Sequence, residues 1–179
     1  MKHQEHIVCI PAKLVNKPKS LIPFTTPKSD CWVNYKLETK DIITVQRAVA
    51  ETTEDFRQVL PLVVFKYKDS VWTYRRTPKG GEGALHGQLS IAVGGHFDAT
   101  DLQTDGGVID PVVSLQYALD RELEEEVTIM GGYSIETLDL CLCANENEVD
   151  RKHLGLVNIY HMTDSPEIYS NEDALETLG

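Results

Sequence analysis

This chain contains no apolar run approaching the ~20 residues needed to cross a bilayer. Its opening Met1-Lys2-His3-Gln4-Glu5 is not followed by a secretory hydrophobic core, so a cytoplasmic protein without membrane contact is expected. Basic residues are scarce: 17 Lys and Arg face 28 Asp and Glu, a formal net charge of −11. That balance excludes a protein that grips long nucleic acid through its phosphates. A short phosphorylated ligand is still compatible, provided metal ions and a few local bases offset its charge. The four cysteines, Cys9, Cys31, Cys141 and Cys143, form no C-x-x-C pair. Cys141 and Cys143 share one face of an apolar strand, which favours buried free thiols over a zinc site or a disulfide. The glycine-rich Lys79-Gly80-Gly81-Glu82-Gly83 lacks the spacing of a P-loop. No internal repeat is present.

With 41% hydrophobic residues in 179, the chain can bury one sizeable core. The expected organisation is an N-terminal extension, residues 1–60, packed on the domain formed by residues 61–179. His6–Ile10 reads as a strand, and the proline-rich stretch after it as loops. Thr53–Val59 is compatible with a helix ended by Pro61. Leu62–Lys66 and Val71–Arg76, separated by Asp69-Ser70, read as a hairpin, and Leu89–Val93 as a further strand. Pro111 to about Val127 reads as a helix, with Asp110 as N-cap, Pro111 in the first turn and a core stripe of Val112, Leu119, Leu123 and Val127. Ile135–Cys143 and His153–His161 read as strands around an acidic loop, Asn145–Arg151.

The densest chemistry lies at the end of that helix, in Arg121-Glu122-Leu123-Glu124-Glu125-Glu126-Val127. At about 100° per residue, Glu122, Glu125 and Glu126 fall within an arc of roughly 100°, while Glu124 points away. Three neighbouring carboxylates repel one another unless a cation compensates. Their hard oxygens suit Mg²⁺ or Mn²⁺. The alternative is a solvated acidic face.

Upstream, the apolar run Ser90–Val93 breaks into Gly94-Gly95-His96-Phe97-Asp98, a strand entering a tight loop. Together the two segments resemble the Nudix box, G-x5-E-x7-R-E-U-x-E-E-x-G-U with U apolar. Gly95 takes the first glycine, and Asp101 stands where the family has glutamate. Arg121, Glu122, Leu123, Glu125, Glu126 and Ile129 match the second half, while Thr128 replaces the second glycine. Nineteen residues, Leu102–Asp120, separate the loop acid from the arginine where the family has seven, which is an insertion of twelve. A register starting at Gly107 would need no insertion, but it puts Val113 at the acid position and lacks a preceding strand. In the Gly95 register the insertion is a surface loop, Leu102 to about Ile109.

The resemblance implies an α/β fold, a Nudix-like α/β/α sandwich with a mixed sheet, with a further helix after the point where this sequence stops. It implies that Glu122, Glu125 and Glu126 hold Mg²⁺ or Mn²⁺ and that one of them helps deprotonate a water. It also implies that Arg121 orients a glutamate and that the Gly95 backbone approaches the metal or phosphate closely. Arg76, His96 and the late acid Glu172 are candidate substrate contacts. The implied activity is Mg²⁺-dependent hydrolysis of the diphosphate linkage in a nucleoside diphosphate joined to another moiety, and a homodimer is a candidate assembly. Two alternatives stand beside it: a catalytically silent Nudix domain that binds a nucleotide or a protein, and a purely structural acidic domain.

Overall fold

The computed structural model describes residues 5–15, 32–79, 86–143, 148–164, 167–171, 173 and 175–178. In chain order the elements are β1 (His6–Pro11), β2 (Trp32–Asn34), β3 (Ile43–Gln46), α1 (Arg47–Ala50), β4 (Phe56–Tyr67), β5 (Ser70–Val71), β6 (Tyr74–Arg76), β7 (Leu89–Ser90) and β8 (Ala92–Val93). There follow β9 (Thr104–Asp105), β10 (Val108–Ile109), α2 (Pro111–Glu126), β11 (Val127–Met130), β12 (Tyr133–Leu142), α3 (Glu148–Lys152), β13 (His153–Met162), β14 (Glu167–Ser170) and β15 (Leu175–Thr177). The fold is α/β on a mixed sheet. Its largest sheet has the order β2-β12-β13-β4-β1-β3, with β5 and β8 also pairing β4. No described helix is long and apolar enough to cross a membrane. The chain divides into two compact units: Met1–Pro61 with Gly95–Ala118 and Leu138–Val157, and Leu62–Gly94 with Leu119–Thr137 and Asn158–Gly179.

In the first unit β1 lies between β3 and β4, with Ile7 opposite Val45 and Cys9 opposite Gln58. Its apolar run HIVCIP suits a strand covered on both faces. Alternation sends Val8 and Ile10 into a cluster with Val59, Phe97, Ala118, Cys141 and Leu154, and Ile7 and Cys9 into a smaller one with Ala50. Cys9, Cys141 and Cys143 are buried free thiols; Cys31 lies outside the described residues. The segment expected as a surface loop forms the hairpin β9–β10, turned by Gly106 and Gly107 at φ 56° and 83°. Two consecutive left-handed residues match the strand twist, and glycine takes them without steric cost. At the start of α2, Asp110 Oδ1 accepts from the backbone N–H groups of Val112 (2.9 Å) and Val113 (3.1 Å), beside Pro111 in the first turn.

In the second unit β4 continues into a tight hairpin with β5, Tyr67 opposite Ser70, turned at Lys68 with φ 52°. β8 pairs β4 a few residues earlier, Val63 opposite Val93. β6 lies between β7 and β15, and β11 pairs β14. Phe65 meets Trp72 and Tyr160 edge-on at 6.0 and 5.8 Å, a favourable aromatic arrangement.

Several expectations are corrected. Thr53–Val59 is not helical, because Phe56 begins the long strand β4, which runs through Pro61. On that edge β1 pairs β4 at Phe56–Gln58 and β8 pairs it at Val63–Val64, so the proline, which lacks an N–H, falls in the gap. Val71–Arg76 and Leu89–Val93 are each split, at Trp72-Thr73 and at Ile91, because their halves join different sheets. Within the expected acidic loop, Glu148–Lys152 forms the short helix α3, with acids in its first turn and bases in its last, as the helix dipole favours. Val112 is 68% exposed, whereas Leu119, Leu123 and Val127 are buried. In the first turn of α2 the buried place goes to Ser114, whose hydroxyl bonds the Asp110 carbonyl and accepts from the Gln103 N–H.

Candidate functional site

The C-terminal half of α2 carries the acidic cluster. Its buried face sets Glu122, at 8% exposure, beside Leu119 and Leu123, while Glu124 and Glu125 are exposed and Glu126 is half-buried. Arg121 Nη1 donates to Glu122 Oε1 at 2.8 Å and stands 3.7 Å from Glu125 Oε1. One guanidinium thus bridges two of the three aligned carboxylates and offsets part of their repulsion. The helix supplies no base in its last turn, so its carboxylates crowd the negative end of its dipole. A donor set of carboxylates alone suits a hard divalent cation. Among the described residues no three His, Cys, Asp or Glu side chains are gathered as a metal cage, and Glu122 instead faces Arg121. The i, i+3 and i, i+4 spacing of Glu122, Glu125 and Glu126 keeps their stems neighbours on one helix face.

The helix end is held from β14. Val127 pairs with Ser170 and Thr128 with Tyr169. The next residue, Asn171, then turns onto α2: its backbone N–H donates to the Glu126 carbonyl at 2.8 Å, and its Nδ2 donates to the Glu124 carbonyl at 3.1 Å. The Thr128 hydroxyl donates to Asn171 Oδ1 at 2.6 Å. Thr128 was legible only as a departure from the family glycine. Asn171 was missed, and the only signal for it was an Asn at the end of a short late strand.

Arg76 ends β6 beside this region. Its guanidinium lies over the Tyr74 ring, 5.7 Å from the centroid, and Nη2 donates to Tyr74 Oη at 3.2 Å. Tyr74 in turn donates to the Ala92 carbonyl at 2.8 Å. Burial holds the Tyr74 phenol above its ordinary pKa, with Arg76 opposing the shift and the Glu126 carboxylate adding to it. Alternation leaves Arg75 exposed and Arg76 half-buried.

Gly95, His96 and Asp101 sit on the segment after β8. Gly94, at φ 145°, takes a backbone conformation that side chains disfavour, and Gly95 follows it. His96 is half-buried, with Nε2 2.9 Å from Gln58 Oε1 and its ring 5.7 Å from that of His153. Asp101 is buried, and its carboxylate accepts from the Asp98 N–H at 3.0 Å, closing a reciprocal cap on a short 3₁₀ turn. Glu172 lies outside the described residues.

No family model matches the chain. Protein YmaB of Bacillus subtilis (strain 168) is 34% identical over 130 residues, which cover 72% of this chain and 60% of that protein. The chain therefore spans about 60% of the length of this curated relative. The crystal structure of Tm1382, itself a proposed Nudix hydrolase, matches 97% of this chain and 84% of its own, with a TM-score of 0.67 and 22% identity. That match takes in the N-terminal strands as well as the segment that carries the box. The chain has the Nudix fold.

Proposed function

We propose that the chain is a Mg²⁺- or Mn²⁺-dependent Nudix-type hydrolase that cleaves the diphosphate linkage of a nucleoside diphosphate joined to another moiety. The observation that carries this reading is the Arg121 bridge to Glu122 and Glu125 on the last turns of α2, within a Nudix fold. Glu122, Glu125 and Glu126 would hold the divalent ion. When bound, the ion lowers the pKa of a coordinated water and offsets diphosphate charge during in-line attack at phosphorus.

The chain's own residues do the rest. Arg121 fixes the orientation of Glu122 and limits its rotamers, so less order must be imposed when the site loads. Glu125, the most exposed of the three aligned acids, is the group best able to accept a proton from an approaching water. Arg76, braced on Tyr74, is positioned to meet a phosphate oxygen. With a net charge of −11, the protein needs such local cations to admit an anionic ligand.

The silent-domain reading has one observation in its favour, namely that Asp101, at the position of a family acid, is engaged in capping its own turn. Incubation with a panel of nucleoside diphosphate derivatives, in Mg²⁺, in Mn²⁺ and in chelator, separates the two. Hydrolysis that requires the metal supports the enzyme. Ligand-dependent thermal stabilisation with no product supports the silent domain.

A further inference from the structure

We infer that Thr128 and Asn171 are positioning residues for the metal-bearing end of α2, an inference that rests on the hydrolase reading above. The last carbonyls of a helix have no intrahelical partner, and here they belong to the segment that carries Glu125 and Glu126. A glycine-based C-cap, the common solution, is not used, because α2 passes directly into β11 at Val127. Asn171 takes its place. Its backbone N–H and side-chain Nδ2 satisfy the Glu126 and Glu124 carbonyls, on either side of Glu125.

An asparagine amide can bind in either of two orientations, and only one presents N–H to a carbonyl. The Glu124 carbonyl, which can only accept, sets that orientation, and the Thr128 hydroxyl, donating to Oδ1 at 2.6 Å, anchors the far end of the amide. A glycine at position 128 has no hydroxyl to supply this anchor. The residue that departs from the Nudix box is therefore tied to Asn171, forty-three residues later, and together they close one hydrogen-bonded clamp. The pairing of Thr128 with Tyr169 sets the register that brings Asn171 to the helix end. The clamped carbonyls belong to Glu124 and Glu126, so a loosened cap frees the backbone from which two of the proposed ligands, Glu125 and Glu126, project.

The test is Mn²⁺ binding, followed by electron paramagnetic resonance well below the melting temperature, for the wild type, Thr128→Val, Thr128→Ser and Asn171→Asp. Removing a group that orients a ligand-bearing element weakens metal affinity on the order of tenfold or more. The Mn²⁺ dissociation constant is thus expected to rise about tenfold in Thr128→Val and Asn171→Asp, and to stay near the wild-type value in Thr128→Ser, which keeps the hydroxyl. A merely structural role would lower Tm in the variants and leave the affinity of the folded protein unchanged. That result would overturn the inference. If Asn171→Asp fails to fold, Thr128→Val, which removes one hydroxyl at an exposed strand position, decides the matter. Wild-type protein that binds no Mn²⁺ would overturn both the hydrolase reading and this one, whereas wild-type binding with unchanged variants would overturn this one alone.

Discussion

Arg121 Nη1 lies 2.8 Å from the carboxylate of Glu122 and 3.7 Å from that of Glu125, so a single cation stands against two acids on the same helix face. Glu122 is mostly buried and Glu125 exposed, which gives the two contacts different weights. The short one restrains a desolvated carboxylate, and the longer one is screened by water.

Arg121→Lys tests that division. A lysine is a point charge without the planar fork, so it cannot hold one carboxylate closely while remaining near a second. The expected outcome is a fall in kcat of about 10- to 100-fold at saturating metal, the range typical when a ligand-orienting partner is lost. Unchanged kcat would remove Arg121 from the machinery.

The difference between Val112 and Leu119 predicts opposite responses to substitution. Leu119→Ala empties a place in a packed core and should cost ~2–5 kcal/mol of unfolding free energy. Val112→Lys, on the exposed first turn of the same helix, should change stability by no more than about 0.5 kcal/mol. Urea denaturation of both variants is the measurement, and equal losses would contradict the burial of this helix.

The turn at Gly106 and Gly107 predicts a backbone effect. Gly107 stands at φ 83° with open space where a Cβ would go, so Gly107→Ala meets conformational strain rather than a clash. A loss on the order of 1 kcal/mol is expected in thermal or urea unfolding. A gain in stability would mean that this residue does not hold the left-handed conformation.

Burial pushes the Cys9 thiol from 9.0 up to about 12 and also raises the Tyr35 phenol, which donates to Asp41. Between the unfolded and folded pKa values of Cys9 the folded state holds more protons than the unfolded state, so ∂ΔG/∂pH is negative there. The stability contributed by a neutral Cys9 is complete below pH 9.0 and declines as pH rises from there towards about 12. Urea midpoints should therefore fall across the alkaline range, more steeply in the wild type than in Cys9→Ala. Parallel slopes would contradict the shift.

The elements that could be read from sequence were those with local determinants. Asp110-Pro111 announced the start of α2, and β1, β12 and β13 carried apolar runs that no helix pattern could claim. Thr53–Val59 is misread because Pro61 looks like a helix stop, whereas in the fold it fills a gap between two pairing partners of one strand. The short strands β5 to β8 were misjoined because sheet membership depends on partners distant in sequence. The acidic face of α2 was legible because helical spacing is local. The residues that hold its end were not, since nothing near Thr128 in sequence points to Asn171.

Hydrolysis through the acidic face of α2 is decided by Glu125→Gln. The substitution removes one charge from a crowded face and leaves the side chain's size unchanged, so the fold should be retained, or stabilised by a few tenths of a kcal/mol as repulsion falls. Products from a nucleoside diphosphate derivative in Mg²⁺ are read by mass spectrometry for wild type and variant, beside their melting temperatures. The wild type is expected to yield a nucleotide and a phosphorylated product, and the variant to lose turnover by at least about 100-fold while melting no lower. Undiminished turnover in Glu125→Gln would remove this carboxylate, and with it the proposed site, from the reaction.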